Sequence, residues 1–338
     1  MISTRGGVAR LLAGVLISLA FLVATVSRVD LGEVGVALRQ VDLAAVALAV
    51  PLVFAELFIR ALRWKRLLRP IAAIPLSRSA AYLAIGYFAN SMLPARLGDV
   101  ARAFLAGRAF GVSRLAVLGS VVVERLADGV FILGLVVVLG LTVAGTGSLA
   151  PTAGWLVVLG ATGSVGLVLA IAWLRRPRGG AVRVRVRSLV DRALLGAQAL
   201  RSPAGVAVVV ALTAAAFTPA IVVFALIASA AGVELTLLQS ALVMGGLALS
   251  TSIPAAPGSI GTYEFVGLAM LTALGVDPEV GLAIVVVVHL VVTLPVALTG
   301  LVCAWLLHFR VADITHEGAP AAIEGADEDM SAAAPIGG

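Results

Sequence analysis

The sequence predicts an all-α, polytopic membrane protein with about seven full spans plus two broken or re-entrant hairpins. Three observations carry that expectation. Of 338 residues, 61% are hydrophobic and only 12% charged, and the mean hydropathy is +1.12. A soluble domain has no use for so much apolar surface. Several mostly apolar runs are long enough to cross a bilayer, and none alternates polar and apolar as porin strands do. Finally, two apolar zones are interrupted in the same way. The first break reads Asn90-Ser91-Met92-Leu93-Pro94-Ala95-Arg96-Leu97-Gly98-Asp99, and the second runs from Ser250 through Pro254, Pro257, Gly258 and Gly261 to Thr262-Tyr263-Glu264. Irregular backbone and carboxylates at membrane depth must be shielded by protein or line a polar cavity.

The elements follow in order. Residues 9–27 behind Arg5 and Arg10 form an uncleaved first helix, and Gly32 to Gly35 a turn. A second helix covers about 43–60, and an apolar stretch of about 79–93 ends at the first break. Helices of about 115–144 and 152–174 precede a basic linker, 175–202. Helices of about 203–230 and 235–253 lead to the second break, a short segment spans 262–274, and a last helix about 280–308. The expected division is a transmembrane domain over 1–310 and a disordered cytoplasmic tail over 311–338, rich in Ala, Gly, Pro and acids.

Arginine sets the expected orientation. Arg60 to Arg78, Arg102 to Arg114 and Arg175 to Arg201 fall in segments assigned to the cytoplasmic side of an inner membrane, as do both termini. The formal charge of +6 reflects these loops and no nucleic-acid module. The 79–100 stretch then starts and ends inside. Pro94-x-x-x-Gly98 matches Pro257-x-x-x-Gly261, each with a carboxylate soon after, which reads either as an inverted repeat or as chance.

Function is expected at the breaks. Pro94 frees backbone groups, Gly98 relaxes the chain, and Asn90, Arg96 and Arg102 supply polar contacts for a phosphate. Asp99 stands three residues before Arg102, a helical pairing distance. Glu124 and Asp128 share one helix face, while Arg125 points elsewhere, toward Asp99 or a lipid phosphate. At the second break Pro257, Gly258 and Gly261 permit close backbone approach, Thr262 is a candidate cap, Tyr263 flanks it, and Glu264 is the key ionisable group. His289 reads equally as a structural histidine or a relay. Arg60 to Arg69 reads as a cytoplasmic helix end with Trp64 as an interfacial anchor, or as a lipid-headgroup patch, with Glu56 paired to Arg60. No metal motif, P-loop, nucleophile elbow or dinucleotide fingerprint appears, so no metal or cofactor is expected; Cys303 stands alone.

Over about 10–308 the chain resembles the integral-membrane family that includes the flippase-like domain of lysylphosphatidylglycerol synthases. The resemblance rests on Arg63-Trp64 to Leu68, on Asn90 to Arg102 with Glu124-Arg125-Leu126-Ala127-Asp128, and on Pro257 to Glu264. It implies a phospholipid or glycolipid partner moved between leaflets. Many relatives are expected to hold an arginine near His289. No soluble transferase domain follows the last helix, so aminoacylation of lipid is not expected of this polypeptide, while service to a separate lipid-modifying enzyme stays open. On this reading Arg96, Arg102 and Arg125 neutralise phosphate, while Asp99, Asp128 and Glu264 orient them or take a cationic group. Asn90, Pro94, Gly98, Glu124, Pro257, Gly258, Gly261 and Tyr263 shape or gate the site. The alternatives are a membrane-embedded glycosyl- or prenyl-lipid enzyme, with Asp99 and Glu264 as acid–base candidates, and a scaffold for a partner enzyme. The oligomeric state stays open.

Overall fold

The computed structural model describes residues 4–93, 97–143, 191, 194–251 and 256–307, with side chains omitted for 4–13 and 137–143. The described chain is all helical: α1 (Thr4–Val26), α2 (Leu31–Gln40), α3 (Leu43–Leu68), α4 (Leu76–Met92), α5 (Leu97–Phe110), α6 (Arg114–Val143), α7 (Pro203–Ala230), α8 (Leu237–Ser250), α9 (Thr262–Ala273) and α10 (Pro278–Leu306). Short 3-10 turns cover Gln198–Arg201 and Pro257–Ser259.

The protein is a multi-pass helical membrane protein, but the expectation of about seven full spans is overturned. Among the described residues, three helices are long and apolar enough to cross a membrane: α3, α7 and α10. A fourth is added if Gly14–Val26 and Leu31–Gln40, bent by 84°, count as one span. The reason is physical. At 17, 14, 14 and 12 residues, α4, α5, α8 and α9 are too short to cross. Even α4 rises only about 26 Å against a hydrocarbon core of about 30 Å. The 30-residue α6 is long enough, but its apolar run is interrupted by Glu124, Arg125 and Asp128. The expected helix at 152–174, most of the basic linker and the tail at 311–338 lie outside the described residues.

Two further expectations change. Residues 32–35 are not a turn but part of α2, because the Asp30 carboxylate accepts from the Gly32 and Glu33 amides and caps a new helix. The helix that begins at Leu43 does not close near Arg60. It runs on to Leu68, and Arg63, Trp64, Leu67 and Leu68 are buried. Trp64 is fully buried, its indole N–H donating to the Ser120 hydroxyl at 3.1 Å, so it is no interfacial anchor.

The helices pack in antiparallel pairs. Asp42 at the start of α3 donates its amide to Ala230 at the end of α7, and Ser79 near the start of α4 donates to the Ala61 carbonyl of α3. α4 and α5 fold back on each other. Tyr82 meets Phe110 edge-on at one end of the pair, and the Asn90 side chain accepts from the Gly98 amide at 2.9 Å near its tip. The α8–α9 pair runs the other way. It leaves from the ends of α7 and α10 that lie beside α2, and Gly246 and Gly267 let Met270 and Leu247 pack across it. Two helical hairpins therefore enter from opposite ends. A continuous apolar core joins α3, α4, α7, α8, α9 and α10 around them.

Candidate functional site

The two hairpin tips meet at a cavity of about 500 Å³, within the size range of small-molecule sites. From the first break come Asn90, Ser91 and Asp99, and from the second Gly258, Ser259 and Tyr263. Glu56 and Arg60 of α3, Tyr87 of α4, Arg125 and Asp128 of α6, Thr251, and His289 and Thr293 of α10 extend the polar wall. Val53, Leu57, Ile132, Phe217 and Met244 supply an apolar remainder.

The charged side chains form one connected network. Arg60 pairs with Glu56 at 2.7 Å and reaches Asp128 at 3.4 Å. Arg63 engages both Asp128 oxygens, donates to the Thr213 hydroxyl at 2.8 Å and lies 3.5 Å from Glu124. Arg102 contacts Glu124 and Asp99, each at 3.2 Å. Arg125 grips Asp99 with two bonds of 3.0 and 2.9 Å. Four guanidinium groups thus alternate with four carboxylates. Arg63, Arg102 and Glu124 have no exposed side-chain surface. Such charges persist away from water only when each is paired and hydrogen-bonded. Arg102 also lies 4.9 Å over the Trp64 ring, a cation–π contact beside its Nε, which has no hydrogen-bond partner among the described residues.

The second break is built differently. Gly258 and Gly261 have φ of 72° and 90°, conformations that glycine alone adopts cheaply. Any side chain at Gly261 would run into the Ser18 carbonyl of α1. Glu264 reaches back so that its Oε2 accepts from the Gly261 amide at 2.6 Å. Thr262 is not the cap: Gly261 holds that place, and the Thr262 hydroxyl donates to the Ser259 carbonyl. The other Glu264 oxygen meets His289 Nδ1 at 2.6 Å, while His289 Nε2 meets the Gly258 carbonyl at 3.0 Å. Tyr263 stacks on the imidazole at 4.3 Å.

Of the residues singled out from the sequence, Asn90, Asp99, Arg125, Asp128, Gly258 and Tyr263 line the cavity. Arg102 and Glu124 are buried behind the wall, Gly98 sits at the α4–α5 crossing, Pro257 opens the turn, and Glu264 lies behind His289. Pro94, Arg96 and Pro254 lie outside the described residues. Sequence reasoning left Glu56, Arg60 and His289 between structural and functional readings, gave Ser91 and Thr251 no role of their own within the breaks, and passed over Tyr87; all six line the cavity. The usable signal for the first two was an acid–base pair at helical spacing within an apolar helix. Among the described residues, no three His, Cys, Asp or Glu side chains converge as metal ligands.

Residues 11–300 match the family described as Lysylphosphatidylglycerol synthase TM region. The chain belongs to this family. No curated protein and no solved structure matches it. Membership makes the protein a flippase-like transmembrane protein in general terms, and the matched range takes in both breaks and the charged network.

Proposed function

We propose that this protein carries a phospholipid or glycolipid between leaflets, with the headgroup in the cavity and the acyl chains left in lipid. One observation carries the reading: two hairpins from opposite ends of the molecule bring their broken tips, and the charged network, to one cavity with a charged wall and a larger apolar remainder. Broken segments that meet at a shared site are the usual architecture of alternating access. Arg60 and Arg125 line the cavity, and the Arg125 side chain keeps 29% of its surface exposed. Those two guanidinium groups are offered to a phosphate, and Glu56, Asp99 and Asp128 beside them to a cationic group. The buried Arg63, Arg102 and Glu124 hold this wall in place.

The proposal is transport without covalent change. Supporting it, the two acid–base candidates are already engaged, Asp99 by Arg125 and Arg102, and Glu264 by His289 and the Gly261 amide. The basic helix ends at Arg66 to Arg78, Arg108 to Arg114 and Arg201 favour a cytoplasmic placement of that end, in an inner membrane with both termini inside. A separate lipid-modifying enzyme supplying the cargo fits the same reading.

The test is transfer of headgroup-labelled lipid by purified protein in liposomes. Arg125→Gln removes a charge-assisted contact of about 1.5–3 kcal/mol and should slow transfer at least about tenfold. Ala248→Trp fills the cavity from a wall position outside the ion network and should block transfer while the protein still melts cooperatively. Wild-type protein that moves no anionic, zwitterionic or prenyl lipid overturns the reading, as does full activity in Ala248→Trp.

A further inference from the structure

We propose that His289 and Glu264 form a proton-binding site whose single exchangeable proton fastens the second break to α10, so that proton occupancy controls the cavity at that tip. The argument is one of hydrogen-bond arithmetic. His289 Nε2 faces the Gly258 backbone carbonyl, which can only accept, so Nε2 carries a hydrogen. Nδ1 faces Glu264 Oε1 at 2.6 Å, and two bare lone pairs do not approach so closely, so a second proton lies between them. Glu264 Oε2 is occupied as an acceptor by the Gly261 amide. The pair therefore holds two protons, either as imidazolium with carboxylate or as neutral imidazole with carboxylic acid, and is neutral in both forms.

Loss of one proton to water leaves a single N–H for two acceptors, and a net charge of −1 on the pair. Either the Glu264 contact or the Gly258 contact must then break. The Glu264 carboxylate is anchored within its own helix by the Gly261 amide and keeps the remaining hydrogen as an anion does, so Gly258 is the one released. Gly258 belongs to the Pro257–Ser259 turn, and an added Cβ there would lie 3.9 Å from the Ser91 carbonyl of the first hairpin. Releasing it loosens the junction of the two tips. The His289 and Glu264 side chains retain 14% and 11% exposure, and His289 and Gly258 line the cavity, which gives the proton its route.

Other titratable and charged groups face the same space. α3 brings Glu56 and Arg60, α4 Tyr87, α5 Asp99, α6 Arg125 and Asp128, and α9 Tyr263. The wall residues of α7 and α8 are uncharged, and neither Glu33 nor Arg39 of α2 lines the cavity. The four described acids of the network each contact an arginine, whereas Glu264 contacts a group that can itself gain or lose a proton.

The site stands on its own geometry; only its consequence for transport rests on the lipid reading above. Replacing His308 and His316 with Gln leaves His289 as the single histidine of the chain. Nitrogen NMR of the labelled imidazole in lipid nanodiscs then follows both ring nitrogens between roughly pH 5 and 9. Hydrogen exchange over 256–261, corrected for intrinsic rates, is measured on the same samples. The expected result is a ring protonated on both nitrogens or hydrogen-bonded to a carboxylic acid, losing one proton as pH rises. Exchange of the turn should increase at least tenfold through the same interval. Glu264→Gln can donate to Nδ1 without an exchangeable charge, so both steps should vanish while the Gly258 contact persists. A ring that does not titrate, a titration with no change in the turn, or an exchange step that survives Glu264→Gln overturns the proposal. Protein that moves no lipid yet shows both steps overturns the transport reading and supports the proton site. Lipid transfer indifferent to an imposed proton gradient, in protein lacking both steps, does the reverse.

Discussion

Arg63 shows what the apolar composition conceals. Its side chain has no exposed surface, and its charge is answered by Asp128, Glu124 and the Thr213 hydroxyl. Breaking such a pair from one side leaves a charge stranded, at a cost of about 3–5 kcal/mol, whereas replacing both partners by apolar groups is close to neutral. Asp128→Asn should therefore destabilise the detergent-solubilised protein by about that amount. Arg63→Met with Asp128→Leu should recover most of it, and denaturation of the two variants beside the wild type checks this; equal losses in the single and double variants would count against the pair. Local pairings were legible because helical spacing alone sets them: Glu56 with Arg60 and Asp99 with Arg102 stand four and three residues apart. Arg125 with Asp99 was legible as one of two alternatives, since Arg125 does not share a face with Glu124 beside it; its second contact, to Asp128 three residues on at 3.8 Å, was not read. Arg63 with Asp128 and Glu264 with His289 were not legible, because their separations of 65 and 25 positions along the chain are closed only by helix packing.

At the scale of elements, glycine separates contact from mere spacing. An added Cβ at Gly98 would run into the Gly86 carbonyl and sit 2.7 Å from Asn90, so the α4–α5 hairpin closes only without one. Gly35 lies inside α2 with nothing within 4 Å of such an atom. Gly98→Ala should cost about 1–3 kcal/mol, as overpacking does. Gly35→Ala should gain about 0.5–1 kcal/mol from helix propensity and lost chain freedom. Opposite shifts in melting temperature are the expected readout, and shifts of the same sign would remove the hairpin argument. The helix from Pro203 to Ala230 matches its expected bounds because Ser202 and Pro203 open it by strong local chemistry. The helix after Asp30 was missed because its two glycines outweighed the Asp cap and Glu33 in its first turn. The helix through Arg60 to Leu68 was cut short because its arginines read as solvent-facing, while their partners lay on α6 and α7.

For the whole molecule, directions of travel follow from the pairings. The end of α3, the start of α4, the end of α5 and the starts of α6 and α7 gather at one end, and that end carries Arg66, Arg69, Arg78, Arg108, Arg114 and Arg201. At the other end lie the α1–α2 bend, the α7–α8 loop and the α9–α10 turn. There the Asp30 amide donates to Glu279, Asp277 caps α10, and the turns hold Glu234 but no Lys or Arg beyond Arg28 and Arg39. This asymmetry in basic residues is what membrane insertion reads. It was visible in the sequence, whereas the number of crossings was not, since hydropathy cannot distinguish a helix that crosses from one that turns back at a buried polar site. With Cys303→Ser as background, Ala273→Cys should react with a membrane-impermeant thiol reagent on intact cells, and Arg69→Cys only after permeabilisation. Both positions are exposed and lie away from the ion network. Reversed labelling would invert the orientation and place the α8–α9 hairpin on the cytoplasmic side; labelling of both from one side would break the opposition of the two hairpins on which the alternating-access reading depends.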